Sequence, residues 1–121
     1  ANYFGSGDPY ETTSVKTTPV GYYNGGQIPA GGDMSNGYGL YDMAGNVYNW
    51  CWDFQDHGWY TNALASTADP TGPPSLESPR VRRGGSGGVD IEIFHLRCAN
   101  RAGSNRSQDR DDIGFRCVRR P

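Results

Sequence analysis

Lysine, long apolar runs and helical periodicity are nearly absent from this chain of 121 residues. The 11 basic residues include a single lysine, Lys16, and only 35% of all residues are apolar. No stretch approaches the roughly 18 consecutive apolar residues of a membrane span. No window keeps apolar residues at i, i+3, i+4 and i+7 over three helical turns. The sequence therefore predicts no membrane span and little α-helix.

The basic charge is confined to one end of the chain. Residues 80–121 carry ten arginines and five acids, whereas residues 1–79 carry one lysine and eight acids. Arginine without lysine suits fixed, planar hydrogen bonding within a structure better than a diffuse phosphate-binding surface. Asp109, Asp111 and Asp112 also interrupt the arginines. We therefore expect no nucleic-acid partner.

Glycine, proline and aromatic residues dominate what is present. Eighteen Gly and eight Pro predict a loop-rich chain, while three Trp, eight Tyr and four Phe argue against disorder. We expect one domain over residues 1–121, with long loops at 4–38 and 55–79. The expected core comprises Trp50, Trp52, Phe115 and Tyr41, and the expected strands are Val47–Trp52, Arg80–Arg83, Ile91–Leu96 and Gly114–Arg119.

Cys51, Cys98 and Cys117 are the three cysteines, and their spacing does not fit a zinc site. An odd number leaves at least one thiol unpaired within the chain or paired outside it. A direct bond between Cys98 and Cys117 stays open at this stage, because sequence does not give the required geometry. Cys51 follows Trp50 in a predicted core strand, which favours an inert, buried thiol.

Several motifs in a fixed order carry a family resemblance. They are NGYGLYDMAGNVYNWCWDF at Asn36–Phe54, DPTGP at Asp69–Pro73, RVRRGGS at Arg80–Ser86, LRCANR at Leu96–Arg101 and IGFRCV at Ile113–Val118. This order resembles the formylglycine-generating-enzyme family, also called sulfatase-modifying-factor domains. The resemblance implies an α+β, C-type-lectin-like fold with short antiparallel strands, little regular secondary structure and long loops. It also implies that the chain corresponds to the C-terminal portion of the family domain.

The resemblance implies a structural calcium site in the first motif. Calcium takes six to eight oxygen ligands from carboxylates, amides and backbone carbonyls. The implied ligands are side-chain oxygens at Asp42 and Asn49 and the carbonyls of Gly45 and Val47. Asn49 replaces an acid of the family, so the site keeps an oxygen but loses one negative charge. A plain structural turn before Trp50 is the alternative.

A second calcium site is implied near the start of the chain. The family uses an Asn, the next carbonyl, and then an Asp-x-aromatic segment. Asn2, Tyr3, Asp8 and Tyr10 match those residue types, with Glu11 as an alternative to Asp8. Calcium at both sites would fasten the two long loops.

The resemblance also bears on catalysis. Catalytic members carry a cysteine pair between the GGS and RCAxR motifs, and these thiolates bind copper(I) and oxidise a substrate cysteine to formylglycine. Here the interval 87–97 contains no cysteine. Since soft thiolates are the ligands that suit copper(I), we expect no copper and lean towards a protein that is not an enzyme. His57 and His95 are interpreted as structural or surface residues.

A polar region in the C-terminal third favours binding. Gly87–Asp112 keeps family-like flanks but departs from the family inside, and small polar and charged residues suit an adaptable ligand-facing loop. The candidate ligand-binding residues are Asp90, Glu92, Asn105, Arg106, Asp109 and Arg110. A merely solvated loop is the alternative. Arg97, Arg101 and Arg116 are expected to pair with buried carbonyls or acids.

The sequence thus favours a non-catalytic, calcium-stabilised binding or accessory domain that presents Gly87–Asp112 to a protein or glycan ligand. The alternative is a fragment or subunit of a formylglycine-generating-type oxidase or related enzyme, completed by a missing N-terminal part or partner subunit. An unpaired cysteine would then have its partner there. A disulfide together with calcium leans towards a periplasmic or secreted location.

Overall fold

The computed structural model describes residues 2–10, 17–68, 72–74, 79–88, 93–107 and 109–118. Its centre is a four-stranded sheet with the strand order β3-β2-β1-β4. The strands are β1 (Tyr48–Phe54), β2 (Arg80–Arg83), β3 (Ala102–Ser104) and β4 (Ile113–Gly114). The predicted fold of few, short strands joined by long loops is confirmed.

The sheet is mixed, which corrects the expectation of antiparallel strands alone. The β1–β2 and β2–β3 pairs are antiparallel, but β4 runs parallel to β1, with Tyr48 opposite Ile113. The pairing of β1 with β2 shifts between Trp50 and Phe54, where a bulge interrupts the register. The helical content of the described residues is three 3-10 turns at Trp59–Thr61, Ala63–Ser66 and Ile93–Leu96, without an α-helix. None of the helices among the described residues has the length and apolar character needed to cross a bilayer.

One strand prediction was wrong in the kind of structure, another was wrong in its bounds, and one strand was missed. Residues 93–96 form a 3-10 turn rather than a strand, and residues 91–92 lie outside the described ranges. Apolar residues in a short run do not by themselves distinguish a strand from a helical turn. β4 ends at Gly114 instead of extending along the predicted range, whose last residue, Arg119, is not described. β3 was missed because Ala, Gly and Ser give no strand signal.

Much of the buried interior is polar. Asn2, Asn46 and Ser86 are at most 6% exposed, and backbone hydrogen bonds join the segments that carry them. The Gly45 N–H donates to the Gly84 carbonyl at 2.6 Å, the Asn46 N–H to Asn2 at 2.9 Å, and the Gly87 N–H to Asn46 at 3.0 Å. We call this region the glycine junction; it comprises Asn2, Thr18, Gly45, Asn46 and residues 84–88.

Gly45 shows why glycine is needed in the glycine junction. Its φ of +83° lies in the left-handed region, and a Cβ there would overlap the backbone carbonyl oxygen of Asn2. A side chain would therefore push the first segment away from the start of β1. Glycine supplies here the close backbone approach that brings three distant segments together.

Large apolar side chains lie on the outside of the protein. Trp52 is 79% exposed, Phe115 is 74% exposed and Val118 is 93% exposed. We call these three residues, two aromatic and one aliphatic, the aromatic surface. The prediction that Trp52 and Phe115 belong to the core was therefore wrong. Trp50 and Tyr41, also predicted in the core, are half-buried. The buried apolar side chains are instead Tyr23, Tyr48, Phe54 and Val81.

Candidate functional site

The loop that leads into β1 contains the four residues of the first implied calcium site. Asp42 and Asn46 adopt left-handed backbone angles, with φ of +57° and +65°, so the loop curls tightly before Tyr48. The Asp42 Oδ2 atom accepts a 3.4 Å hydrogen bond from the Gly21 N–H. Its Oδ1 atom is buried and has no hydrogen-bond partner among the described residues. A buried carboxylate oxygen without a donor is costly unless a cation or water satisfies it.

Arg116 approaches the same loop from beyond β4. Its Nη2 donates to the Asp42 carbonyl at 2.8 Å, and its Nε donates to Asn49 Oδ1 at 3.2 Å. The Asn49 Nδ2 donates in turn to the Val47 carbonyl at 3.2 Å. Arg116 was predicted to pair with a buried carbonyl or acid: it does pair with a carbonyl, but the hydrogen bond and the side chain are exposed, so the predicted burial was wrong. One guanidinium thus holds both ends of the loop.

The four residues of the second implied calcium group each have partners within the protein. Asn2 packs in the glycine junction, where a Cβ on Gly87 would lie 3.0 Å from its Oδ1. The Tyr3 carbonyl accepts the Ser6 N–H at 3.0 Å and so closes a turn. Asp8, 4% exposed, is the centre of a hydrogen-bond cluster that includes Tyr10.

The Asp8 carboxylate is held by three donors. Oδ2 accepts the hydroxyls of Ser6 at 2.6 Å and Tyr23 at 2.7 Å, while Oδ1 accepts the Tyr10 N–H at 2.8 Å. Burial alone would raise the pKa of Asp8, but these hydrogen bonds to the ionised form hold the pKa below its usual value. Burial and the adjacent Asp8 carboxylate raise the pKa of Tyr23, which therefore stays a donor. The cluster ties Ser6, Asp8 and Tyr10 to Tyr23 within the first long loop.

No three His, Cys, Asp or Glu side chains cluster to hold a metal within the described ranges. A cation at either implied site would therefore rest largely on amide and carbonyl oxygens. Such donors suit calcium and disfavour softer metals.

The candidate ligand-binding residues divide into three groups. Asn105, Arg106 and Asp109 are exposed. Arg110 forms two hydrogen bonds to buried Asp112, at 2.7 and 3.0 Å, and so serves the internal structure. Asp90 and Glu92 lie outside the described residues.

Arg106 reaches back towards the sheet. Together with Trp50 and Arg80 it lines an open cavity of about 230 Å³, and its guanidinium lies 5.8 Å from the ring of Phe54. Arg106 therefore borders a recess that has one aromatic wall, Trp50, and a second cation, Arg80. The aromatic wall was not part of the sequence prediction.

Two further arginines and the three cysteines were also named in the sequence analysis. Arg101 pairs with Asp53, as expected of an arginine with an acid partner, whereas Arg97 is exposed. All three cysteines are free in this structure: Cys98 and Cys117 are exposed and Cys51 is half-buried. Burial is the main cause that raises the pKa of the Cys51 thiol, which makes it a poor nucleophile.

These features define a class of protein: a loop-rich domain with a small mixed sheet. Loops with side-chain and carbonyl oxygens that could bind a cation lie beside the sheet, and closely packed glycines join its segments. The match to a family profile is more specific. The whole chain, residues 1–121, matches the sulfatase-modifying factor enzyme 1-like domain. The chain therefore belongs to the sulfatase-modifying-factor, or formylglycine-generating-enzyme, family, and the resemblance drawn from its motifs is confirmed.

Two kinds of relatives carry this region. The serine/threonine-protein kinase pkn1 of Chlamydia caviae is 40% identical over 106 residues, which cover 88% of this chain and 15% of the relative. The formylglycine-generating enzyme of Bos taurus is 35% identical over 77% of this chain and 24% of the relative. The formylglycine-generating enzyme of Thermomonospora curvata is 36% identical over 79% of this chain and 32% of the relative. The chain thus spans a third or less of these relatives.

Proposed function

We propose that this chain is a non-catalytic, calcium-stabilised binding or accessory domain with a C-type-lectin-like fold. It presents Gly87–Asp112 to a protein or glycan ligand. The observation that carries this proposal is the exposure of Asn105, Arg106 and Asp109, of which Arg106 lines a recess together with Trp50 and Arg80. Aromatic and arginine side chains around a concave surface are the groups that most often anchor a partner.

The lack of catalysis rests on chemistry. The interval 87–97 contains no cysteine, and the cysteines that flank it are the exposed Cys98 and the half-buried Cys51. Without a thiolate pair in this interval, the chain lacks the ligands that suit copper(I). Its relatives carry two different activities in their names, a protein kinase and a formylglycine-generating enzyme, which supports a module used in more than one context.

Calcium is proposed at the loop before β1. Asp42 supplies the unpartnered Oδ1, and Gly45, Val47 and Asn49 supply carbonyl or amide oxygens on the same loop. Arg116 already donates to Asn49 Oδ1 and lies against the Asp42 backbone carbonyl, so we expect weak calcium binding that is sensitive to the charge of Arg116. The group of Asn2, Tyr3, Asp8 and Tyr10 is proposed as a second site, with Asp8 already satisfied by protein donors.

Calorimetric titration of chelator-treated protein tests the first site. Calcium should release heat and raise the melting temperature, and Asp42→Asn should abolish both effects because it removes the carboxylate. Arg116→Gln should strengthen binding. Equal heats for the parent protein and Asp42→Asn would contradict a site at this loop, and no heat at all would contradict calcium stabilisation.

A protein and glycan array tests the binding role. The triple variant Asn105→Ala, Arg106→Ala and Asp109→Ala should lose most of the signal for at least one ligand that the parent chain retains. Val20→Ala serves as the control, because Val20 is 92% exposed and is not one of these three residues. Retention of all ligands by the triple variant would overturn the proposed binding surface.

The second candidate is a part of a formylglycine-generating-type oxidase or related enzyme that a further polypeptide completes. The specific observation in its favour is exposed area. The chain exposes 8304 Å², against about 6,400 Å² expected for a compact protein of its mass. A groove of about 730 Å³ runs along β1, lined by Trp50, Trp52, Val118 and neighbouring polar residues. A copper(I) titration and a cysteine-peptide oxidation assay on the full gene product would decide: oxidation would favour this candidate, and its absence would favour the binding domain.

A further inference from the structure

The pocket that lies between β1 and the 3-10 turns at Trp59–Thr61 and Ala63–Ser66 is separate from both proposed sites. It has a volume of about 300 Å³ and combines aromatic rings with an ion pair. Its walls are Trp52, Trp59, Tyr60, Ala65 and Gly72, and the ion pair is Asp53 with Arg101.

The ion pair is fixed within the protein. Arg101 donates to Asp53 Oδ2, and its guanidinium lies 5.2 Å from the centre of the Tyr60 ring. The Arg101 side chain is only 12% exposed, and its Nε is buried without a hydrogen-bond partner among the described residues. Asp53, at 29%, remains more accessible. The pair therefore offers hydrogen-bonding capacity to a ligand but little net charge.

Short-range hydrogen bonds hold the turns that carry the aromatic side chains of the pocket. Asp56 Oδ1 accepts the Gly58 N–H at 2.8 Å, which shapes the turn immediately before Trp59. The Thr61 hydroxyl donates to the Gly58 carbonyl at 2.8 Å, and Asn62 caps the next turn by accepting the Leu64 N–H at 2.9 Å. A wall held in this way loses little entropy when a ligand binds.

Gly72 closes the pocket on its remaining side. Its φ is +80°, and a Cβ at this position would lie 2.6 Å from the Cβ of Asp53. The backbone therefore approaches Asp53 as closely as only glycine permits. On another side of the pocket, Tyr60 is 67% exposed, so its aromatic ring is accessible to a ligand from solvent.

The chemistry of the walls selects the class of ligand. Arg101 disfavours a cation, and Asp53 together with the electron-rich ring faces disfavours an anion. A purely apolar ligand would bury the ion pair without using its hydrogen bonds, at a cost. A ligand with one apolar C–H face and an edge of hydroxyl groups satisfies both kinds of wall. We propose that this pocket binds the pyranose ring of a sugar, with an aromatic ring against its C–H face and its hydroxyls on Asp53 and Arg101.

This proposal does not depend on the tract 105–109, because the pocket shares no residue with it. A cavity of this size is at the small end of ligand pockets and suits one sugar ring. For so small a ligand, we expect a dissociation constant on the order of 1 mM.

Ligand-observed NMR and titration of tryptophan fluorescence test the proposal on the full chain. The probes are free glucose, galactose, mannose and N-acetylglucosamine. At least one should receive saturation transfer from the protein, and Trp59→Ala should weaken its binding by roughly tenfold. Tyr60→Ala is a second, exposed position with the same expected direction, so the test survives if Trp59→Ala fails to fold.

Two controls separate this site from others. Phe115→Ala removes an exposed aromatic ring elsewhere, at 74% exposure, and should leave sugar binding unchanged. The triple variant of Asn105, Arg106 and Asp109 should also bind as the parent does. Sugar binding lost only in that triple variant, no transfer to any of the four sugars, or equal binding by folded Trp59→Ala and Tyr60→Ala would each overturn the pocket as a sugar site.

Discussion

The glycine junction and the aromatic surface reverse the usual relation between polarity and burial. Asn2 and Ser86 in the junction are 1% and 0% exposed, whereas Trp52 and Phe115 on the aromatic surface are 79% and 74% exposed. The junction buries polar groups because its backbone donors and acceptors find each other at 2.6–3.0 Å. The aromatic surface stays exposed even though the Arg80 guanidinium lies 5.0 Å from the centre of the Trp52 ring. Burial in this chain therefore follows hydrogen-bond satisfaction as much as hydropathy.

The largest expected effect is in the glycine junction. Gly45→Ala should destabilise the protein by about 3 kcal/mol or more, because the new Cβ meets the Asn2 carbonyl at a left-handed backbone angle. Denaturant unfolding measures this. Gly37→Ala is the matched control, since open space surrounds that position, and it should change stability by less than about 0.5 kcal/mol. Equal losses for the two variants would contradict the close approach.

A pair of valines compares the inside with the aromatic surface directly. Val81 is fully buried and Val118 is 93% exposed. Val81→Ala should cost about 2 kcal/mol in unfolding free energy, because it leaves a cavity, while Val118→Ala should cost nearly nothing. A loss at Val118 similar to that at Val81 would mean that the aromatic surface is covered in solution.

The Asp8 cluster predicts a pH dependence. Because the folded pKa of Asp8 is lowered, its stabilising contribution is present above the ordinary value of 3.8 and is lost as pH falls through the folded pKa. Asp8→Asn should lower stability at neutral pH by about 1–3 kcal/mol and flatten the acid side of the melting curve against pH. Tyr23→Phe, which removes one of three donors, should give a smaller change in the same direction. An unchanged acid slope in Asp8→Asn would exclude this cluster as its source.

The smallest effect is expected at Phe115. Phe115→Ser should alter the unfolding free energy by less than about 0.5 kcal/mol, because the ring already faces water. It should also reduce any self-association measured by sedimentation velocity, since an exposed aromatic ring is removed. A marked loss of stability would show that a further segment packs on the aromatic surface.

The sequence predicted the sheet well where strand signals were strong and poorly where they were weak. β1 and β2 lie close to their predicted ranges, since Val, Trp, Phe and flanking turns mark them. β3 was missed, because Ala102–Ser104 is held by its pairing with β2 rather than by its own preference. The candidate calcium loop was located from its motif, but the approach of Arg116, 74 residues from Asp42, was visible only in three dimensions.

The sequence by itself determined the family, the loop-rich character and the absence of a cysteine pair in residues 87–97, because each depends on residue types in a fixed order. Only the tertiary structure decided which aromatic rings are buried and which charges meet. Tyr48 is buried and Trp52 exposed within one strand, because a bulge follows Trp50 and because Arg82 and His95 lie against the Tyr48 ring. A bulge and a close backbone approach arise from pairing between distant segments, and no local pattern specifies them.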